Sequence, residues 1–423
     1  MARASAFQAD CREFESRLPL HLFFTNQRNI LSLSIFNKDS NIHIILSGII
    51  SLFLGVGIAR FAYTSILPDM LNQDVLTLTF SGLLASLNYV GYISGAITAI
   101  FINNFILKVK LFRLGLILSI VTTAVFSLTS NETIWLISRI IAGFGSAMLL
   151  IVGPAIVVKK LKSNNITKTM GLYFTGIGFA IVLSELIARI ALPDWKVSWT
   201  LLSIIGLVLV AYPFYILSFD KLIPDNNTKH KLSKNLFTPF VLFLTFTYGC
   251  EGFGFVVQGT FLPTILNSID GLESYANNAW LIVGIAAIPA TIFWMNMASK
   301  FGYVPVIQAA LFLQIIGILI PTITSDPIIN LASGAIYGFT FAPLVALFIN
   351  LGGTIAKANP VVLMGAFTSA YGIGQITAPL YAVYLTNLSG NYNYALYLTA
   401  FIVSIGFIAL SVSKRLKSYS HLK

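Results

Sequence analysis

Five ionisable side chains, Arg60, Arg139, Glu185, Arg189 and Glu251, interrupt stretches that are otherwise apolar or small. On a wetted surface they would carry little information. Inside a run such as GVGIARFAYTSILPDM (residues 55–70) each needs an opposite charge, a hydrogen-bonding cage or a wet cavity. A lone charge at the centre of a bilayer costs at least about 2.5 kcal/mol. An arginine there is a fixed positive charge whose planar fork matches a carboxylate. A glutamate there can hold and release a proton or bind a cation. Neither role needs a metal, and no spacing of His, Cys and acidic residues suggests one. No serine, histidine and acid grouping suggests bond-making chemistry. The expectation is therefore binding and charge compensation, with no enzyme activity, no metal and no cofactor.

Those residues lie in a chain of 423 residues that is 57% hydrophobic and only 10% charged. Its mean hydropathy is +0.84. Such a composition excludes an ordinary soluble globular protein and fits a polytopic membrane protein. A helix needs roughly 20 apolar residues to cross the hydrocarbon core. Twelve runs qualify: 42–68, 78–105, 111–129, 133–158, 168–192, 199–218, 237–266, 277–299, 304–324, 328–352, 361–386 and 393–413. Basic residues test that count, because they favour the cytoplasmic side. With alternating helices, the Lys and Arg clusters at 3–38, 108–113, 159–168, 221–234 and 414–423 fall on one side, with Lys300 and Lys357. Asp69, Asp74, Glu132, Asp194, Asp270, Glu273 and Asp326 fall on the other, with Lys196 as the one clear basic residue. Both termini are thus expected in the cytoplasm of a cell whose plasma (inner) membrane holds the protein. The net charge of +11 then reflects topology and anionic lipid, not nucleic acid. Cys11 and Cys250 fall in a tail and in mid-membrane, so no disulfide is expected.

The chain is also duplicated. Residues 219–236 form the longest polar stretch between runs and divide the chain into a bundle over 42–218 and another over 237–414, flanked by tails at 1–41 and 415–423. IARFAYTSILP (58–68) aligns with FGFVVQGTFLP (253–263) at an offset of 195, and GFGSA (143–147) aligns with GFTFA (338–342) at the same offset. TGIG (175–178) aligns with YGIG (371–374) one residue further on. Such internal repeats imply an all-α membrane protein of two pseudo-symmetric six-helix bundles, with a site between them near mid-membrane.

GIARFAYTSILPDM, EGFGFVVQGTFLP (251–263) and TSAYGIGQITAPL (368–380) resemble the YbfB/YjiJ-type branch of the major facilitator superfamily. SRIIAGFGSA (138–147) resembles the superfamily's helix-4 motif, and DWKVSW (194–199) the branch's Trp-Arg-x-x-Trp element with Lys196 in place of arginine. The resemblance covers roughly residues 42–413. It implies the facilitator fold, alternating access, and a cavity lined by helices 1, 4, 7 and 10. The loop between helices 2 and 3 departs from the superfamily pattern, with Asn103 and Asn104 and no acid; its second copy, SKFGYV (299–304), keeps the basic residue and the glycine. The glycine-proline motif of drug antiporters is absent from GLYFTGIGFAIVLSE (171–185).

Depth follows at about 1.5 Å per residue. Arg60 lies ~27 Å and Glu251 ~21 Å from the cytoplasmic ends of their helices. Repeat arithmetic sets Arg60 over Phe255 and Val56 over Glu251. Arg60 is therefore expected to face Glu251 across the two halves. A proton on Glu251 would release Arg60 to bind a carboxylate; the alternative is a static ion pair. Arg139 is expected either to take part in proton movement, as the resemblance implies, or to pair with Glu185. Glu185 and Arg189 are four apart and share a helical face. Gly57 and Thr64, Tyr248, Phe255 and Gln258, Tyr337, and Tyr371 and Gln375 continue the expected cavity face. Their alternative is ordinary helix packing. The expected function is secondary active, proton-coupled uptake of a small organic anion by a monomer in contact with lipid. Efflux of an amphipathic cation, with Glu251 and Glu185 as binding acids, and a non-transporting receptor or assembly factor are the alternatives.

Overall fold

The computed structural model describes residues 39–102, 104–161, 166–218, 237–356 and 360–416. The N-terminal tail with Cys11, Asn103, the linker 219–236, Lys357 and the final basic residues lie outside the described residues.

Every apolar run is a helix. They are α1 (Asn41–Asn72), α2 (Leu78–Phe101), α3 (Phe105–Leu128), α4 (Glu132–Leu161), α5 (Ile166–Arg189) and α6 (Trp195–Ile216). The second half holds α7 (Pro239–Asn267), α8 (Glu273–Phe301), α9 (Tyr303–Thr322), α10 (Pro327–Ile355), α11 (Pro360–Ser389) and α12 (Asn393–Ser413). Among the described residues, ten are long and apolar enough to cross a bilayer, and α2 and α11 pack among them. One boundary departs from expectation. The α2 helix stops at Phe101 and α3 starts at Phe105. The Asn104 side chain explains this: its Oδ1 accepts from the backbone N–H groups of Ile106 and Leu107 at 2.8 and 3.3 Å, a helix N-cap. The corresponding turn between α8 and α9 uses Gly302 at φ +84°, a conformation that favours glycine.

Packing repeats the sequence duplication. In the first half α1 packs on α5, α2 on α4, and α3 on α4 and α6. In the second, α7 packs on α11, α8 on α10, and α9 on α10 and α12. Individual hydrogen bonds recur at the offset of 195. Ser138 donates to the Thr122 carbonyl at 2.9 Å, and Ser333 donates to the Gly317 carbonyl at 2.7 Å. Asn131 caps α4 through Ile134 N–H, as Asp326 caps α10 through Ile329 N–H. Outward-facing rows such as Leu207 and Val208 on α6, Phe312 on α9 and Phe401 on α12 are exposed. These apolar faces are where lipid takes the place of protein.

Two duplicated glycines sit at close helix approaches. A Cβ on Gly143 would collide with the Asn88 carbonyl of α2, and a Cβ on Gly338 with the Val283 carbonyl of α8. Both neighbours are backbone and cannot swing aside. Gly143→Ala and Gly338→Ala should each cost about 1–3 kcal/mol by forcing the helices apart. Gly353→Ala, with nothing within 4 Å of the added methyl, should leave the melting temperature of the detergent-purified protein unchanged.

Candidate functional site

Between the halves lies a cavity of about 300 Å³. Its walls run from Arg60 and Phe255, at mid-depth, to Lys108, Ala155, Ile349 and Met364. Those last residues belong to the start of α3, the ends of α4 and α10, and the start of α11. The cavity therefore extends toward the end that carries the basic clusters. At the opposite end the halves are joined. Thr64 Oγ1 donates to the Gly259 carbonyl at 2.7 Å, linking α1 to α7. Asn387 Nδ2 donates to Thr79 Oγ1 at 3.0 Å, linking α11 to α2. Arg189 Nη1 donates to Asn278 Oδ1 at 3.0 Å, linking α5 to α8. Thr64 and Gly259 are repeat equivalents, so this seal sits on the pseudo-two-fold axis.

The α1 helix is wound as a π-helix from Phe53 to Phe61, and α4 as a π-helix from Met148 to Val152. Such wide turns concentrate at functional positions. Ser146 of α4 donates to the Gly55 carbonyl inside the widened stretch. Gly57 sits so close to α5 that a Cβ would meet the Ala180 carbonyl at 2.8 Å. Its task is close helix contact, and it does not line the cavity.

Arg60 projects from the end of this stretch into the cavity wall and is 6% exposed. Its guanidinium carbon lies 4.5 Å from the Tyr89 ring centroid, 5.1 Å from Tyr92, 5.3 Å from Phe255 and 5.8 Å from Phe61. Cation–π attraction of roughly 0.5–2 kcal/mol per ring holds the charge. Nε and Nη2 have no protein hydrogen-bond partner. The expected ion pair with Glu251 does not form. Glu251 is fully buried; its Oε1 accepts from Gln314 Nε2 of α9 at 3.4 Å, its Oε2 has no hydrogen-bond partner, and Tyr371 of α11 is a neighbour. Helix phase explains the correction. Positions seven apart, Tyr248 and Phe255, differ by only ~20° around a helix, whereas Glu251 is rotated to one side, ~60° from Tyr248 and ~40° from Phe255. Tyr248 and Phe255 thus face the cavity, and Glu251 faces α9 and α11.

Gln258 follows Glu251 rather than Phe255, donating to the Gly317 carbonyl at 3.3 Å and facing Ser333. Tyr337 lies behind the wall, its hydroxyl donating to the Phe255 carbonyl at 2.8 Å. So among the expected cavity residues, Tyr248, Phe255, Tyr371 and Gln375 line the space with Arg60, while Gly57, Thr64, Gln258 and Tyr337 do not. Nor does Arg139 pair with Glu185. Arg139 donates to the Leu84 and Ala59 carbonyls at 3.2 Å each and covers the Tyr63 ring at 4.6 Å, bracing α1, α2 and α4 together. Glu185 accepts from Arg189 Nε at 2.7 Å, the four-residue pair expected on α5. Sequence reasoning missed Tyr89, Tyr92 and Gln314. The spacing of Asn88, Tyr89 and Tyr92 within an apolar run was the available signal for the two tyrosines; Gln314, a single polar residue in α9, offered less.

Two six-helix bundles around a central cavity that reaches one membrane face and is sealed at the other define a multi-pass membrane transporter of the facilitator type. Over residues 52–411 the sequence matches the family described as uncharacterised MFS-type transporter YbfB, and the chain belongs to that family. A relative from Buchnera aphidicola subsp. Schizaphis graminum (strain Sg), described as an uncharacterized transporter, is 24% identical over 322 residues, 70% of this chain and 73% of the relative. Among solved structures, a mutant form of the nucleoside transporter NupG shares the fold with a TM-score of 0.66 at 15% identity, covering 88% of this chain and 99% of that one.

The seal is testable by cross-linking. In a protein lacking Cys11 and Cys250, Thr79→Cys with Asn387→Cys should form an oxidised cross-link that arrests transport until reduced. If oxidation never links the pair, α2 and α11 do not meet at this end.

Proposed function

We propose that the protein takes up a small organic anion with protons across the bacterial inner membrane, by alternating access, with both termini cytoplasmic. One observation carries the reading. Arg60 is a permanent cation in the cavity wall, held by ring faces and by no carboxylate, with one edge of its guanidinium unpartnered. The free Nε and Nη2 form the edge that receives both oxygens of a carboxylate side by side. The nearby acids are engaged elsewhere, Glu185 with Arg189 and Glu251 with Gln314. A bound anion would complete the charge balance that the protein leaves open.

Glu251 is the proton carrier in this reading. It has only uncharged partners, and a buried carboxylate without a cation is costly. Its neighbour Tyr371 stands in the cavity wall. In this reading protonation acts through Tyr371 rather than by breaking an ion pair with Arg60. Arg139 acts as a brace. The residues that open and close alternately are those of the Thr64–Gly259, Thr79–Asn387 and Arg189–Asn278 contacts. The protein works as a monomer surrounded by lipid, without nucleic acid or cofactor.

Proteoliposomes test this. An inward acid gradient should drive accumulation of organic acids, and a protonophore should abolish it. Arg60→Gln should lower substrate affinity about 10–100-fold, the loss of one charge-assisted hydrogen-bonding group. Glu251→Gln should keep binding and exchange but lose accumulation against a gradient. Uptake indifferent to both the gradient and Arg60 would overturn the reading.

A further inference from the structure

We propose that the anion is an aromatic monocarboxylate, its carboxylate on the free edge of Arg60 and its ring against the Tyr248–Tyr371–Phe255 wall. The inference rests on the anion reading above and names the class of anion.

Ring geometry is the first support. Tyr248 and Tyr371 stack at 4.5 Å between centroids and 15° between planes. Tyr371 and Phe255 follow at 5.9 Å and 27°, and Phe255 and Phe341 at 5.4 Å and 28°. The result is one continuous stack of nearly parallel rings in the second half. All four rings line the cavity. Phe348 covers the other face of Tyr248 at 4.4 Å and 23°, so the stack borders the cavity with ring edges. Phe255 joins this wall to the charge, since its centroid is 5.3 Å from the Arg60 guanidinium carbon. A flat ring attached directly to a carboxylate fits both features at once. A saturated body of the same size would meet the charge but not the edge-to-face preference of the wall.

Polarity is the second support. Among the described residues, the polar side chains of the wall are Arg60, Lys108, Thr368, Gln375 and the tyrosines Tyr92, Tyr248 and Tyr371. Thr368 spends its hydroxyl on the Met364 carbonyl at 2.8 Å. Gln375 Oε1 has no partner and could accept one hydroxyl. The rest of the lining is apolar, which suits a ligand whose body is a hydrocarbon ring better than one that carries several hydroxyls. Lys108 marks the mouth. It stands at the start of α3, at the cytoplasmic end of the wall, whereas Arg60 lies at mid-depth beside the rings. Lys108 draws anions inward and Arg60 seats the carboxylate. Nε and Nη2 are enclosed by the surrounding rings, and three of these, Phe61, Tyr92 and Phe255, also stand in the cavity wall. The carboxylate reaches the edge as one of them turns aside.

Calorimetric binding to the full-length purified protein at acid pH separates the possibilities. Benzoate and cyclohexanecarboxylate match in charge and size and differ in the ring face. Benzoate should bind roughly three- to tenfold more tightly, the worth of an aromatic pair. That ratio should fall to about one in Phe255→Leu and in Tyr248→Leu, and return in Phe255→Tyr. Arg60→Gln should weaken binding of both acids about 10–100-fold. If both acids bind equally and still require Arg60, the aromatic proposal fails and the anion reading stands. Tighter binding of succinate than of benzoate overturns the monocarboxylate. If only uridine or a lipophilic cation binds, independently of Arg60, both readings fall.

Discussion

A guanidinium does not shed its charge at any physiological pH, so a protein that carries one at mid-membrane must build around it. At Arg60 the surroundings are ring faces rather than acids. That choice governs the neighbourhood. Glycines at 55 and 57 let the π-wound stretch of α1 press against α4 and α5. The α2 helix must turn Tyr89 and Tyr92 toward it, and α7 must turn Phe255. A carboxylate partner would have neutralised the site from within, and any incoming anion would have had to displace it. Quadrupoles hold the cation while leaving its hydrogen-bonding edge free.

The contacts that close the far end have a different character. Thr64 with Gly259 and Thr79 with Asn387 are neutral hydrogen bonds, each of about 1 kcal/mol net. Arg189 with Asn278 adds a charge-assisted bond at a partly exposed position. Apolar packing between the halves, such as Phe61 against Trp280 at 5.5 Å, adds to them. Alternating access needs a seal that ligand binding energy can rival, because neither end can be sealed by much more than the ligand can repay.

How far the sequence could be read depended on length scale. Apolar runs of membrane-spanning length and the basic clusters determine twelve helices and their order, since irregular backbone cannot face lipid. Repeats at one offset determine the two bundles. Depth along a helix was legible too, because rise per residue is constant: Arg60 does reach the central cavity. Azimuth was not. Glu251 and Phe255 look adjacent on a helical stripe, yet the ~40° that separates residues four apart puts one behind the wall and the other in it. Likewise Arg139 has Glu185 on the neighbouring helix but takes two backbone carbonyls instead. Which of several reachable partners a long side chain adopts is decided by differences of a few ångströms in helix rotation, and no residue type encodes those.

The duplicated hydrogen bonds have a historical implication. Caps, serine-to-carbonyl bonds and glycine approaches recur in both copies, whereas the chemistry does not: Arg60 corresponds to Phe255, Arg139 to Gly334, and Glu251 to Val56. In an ancestral homodimer of six-helix subunits, any residue near the symmetry axis would have occurred twice. An arginine there would have faced its own copy across the axis, a repulsive pair in a dry environment. A cation against a ring wall therefore requires the two halves to differ at these positions. The present site is thus a product of broken symmetry, laid over a scaffold that still keeps it.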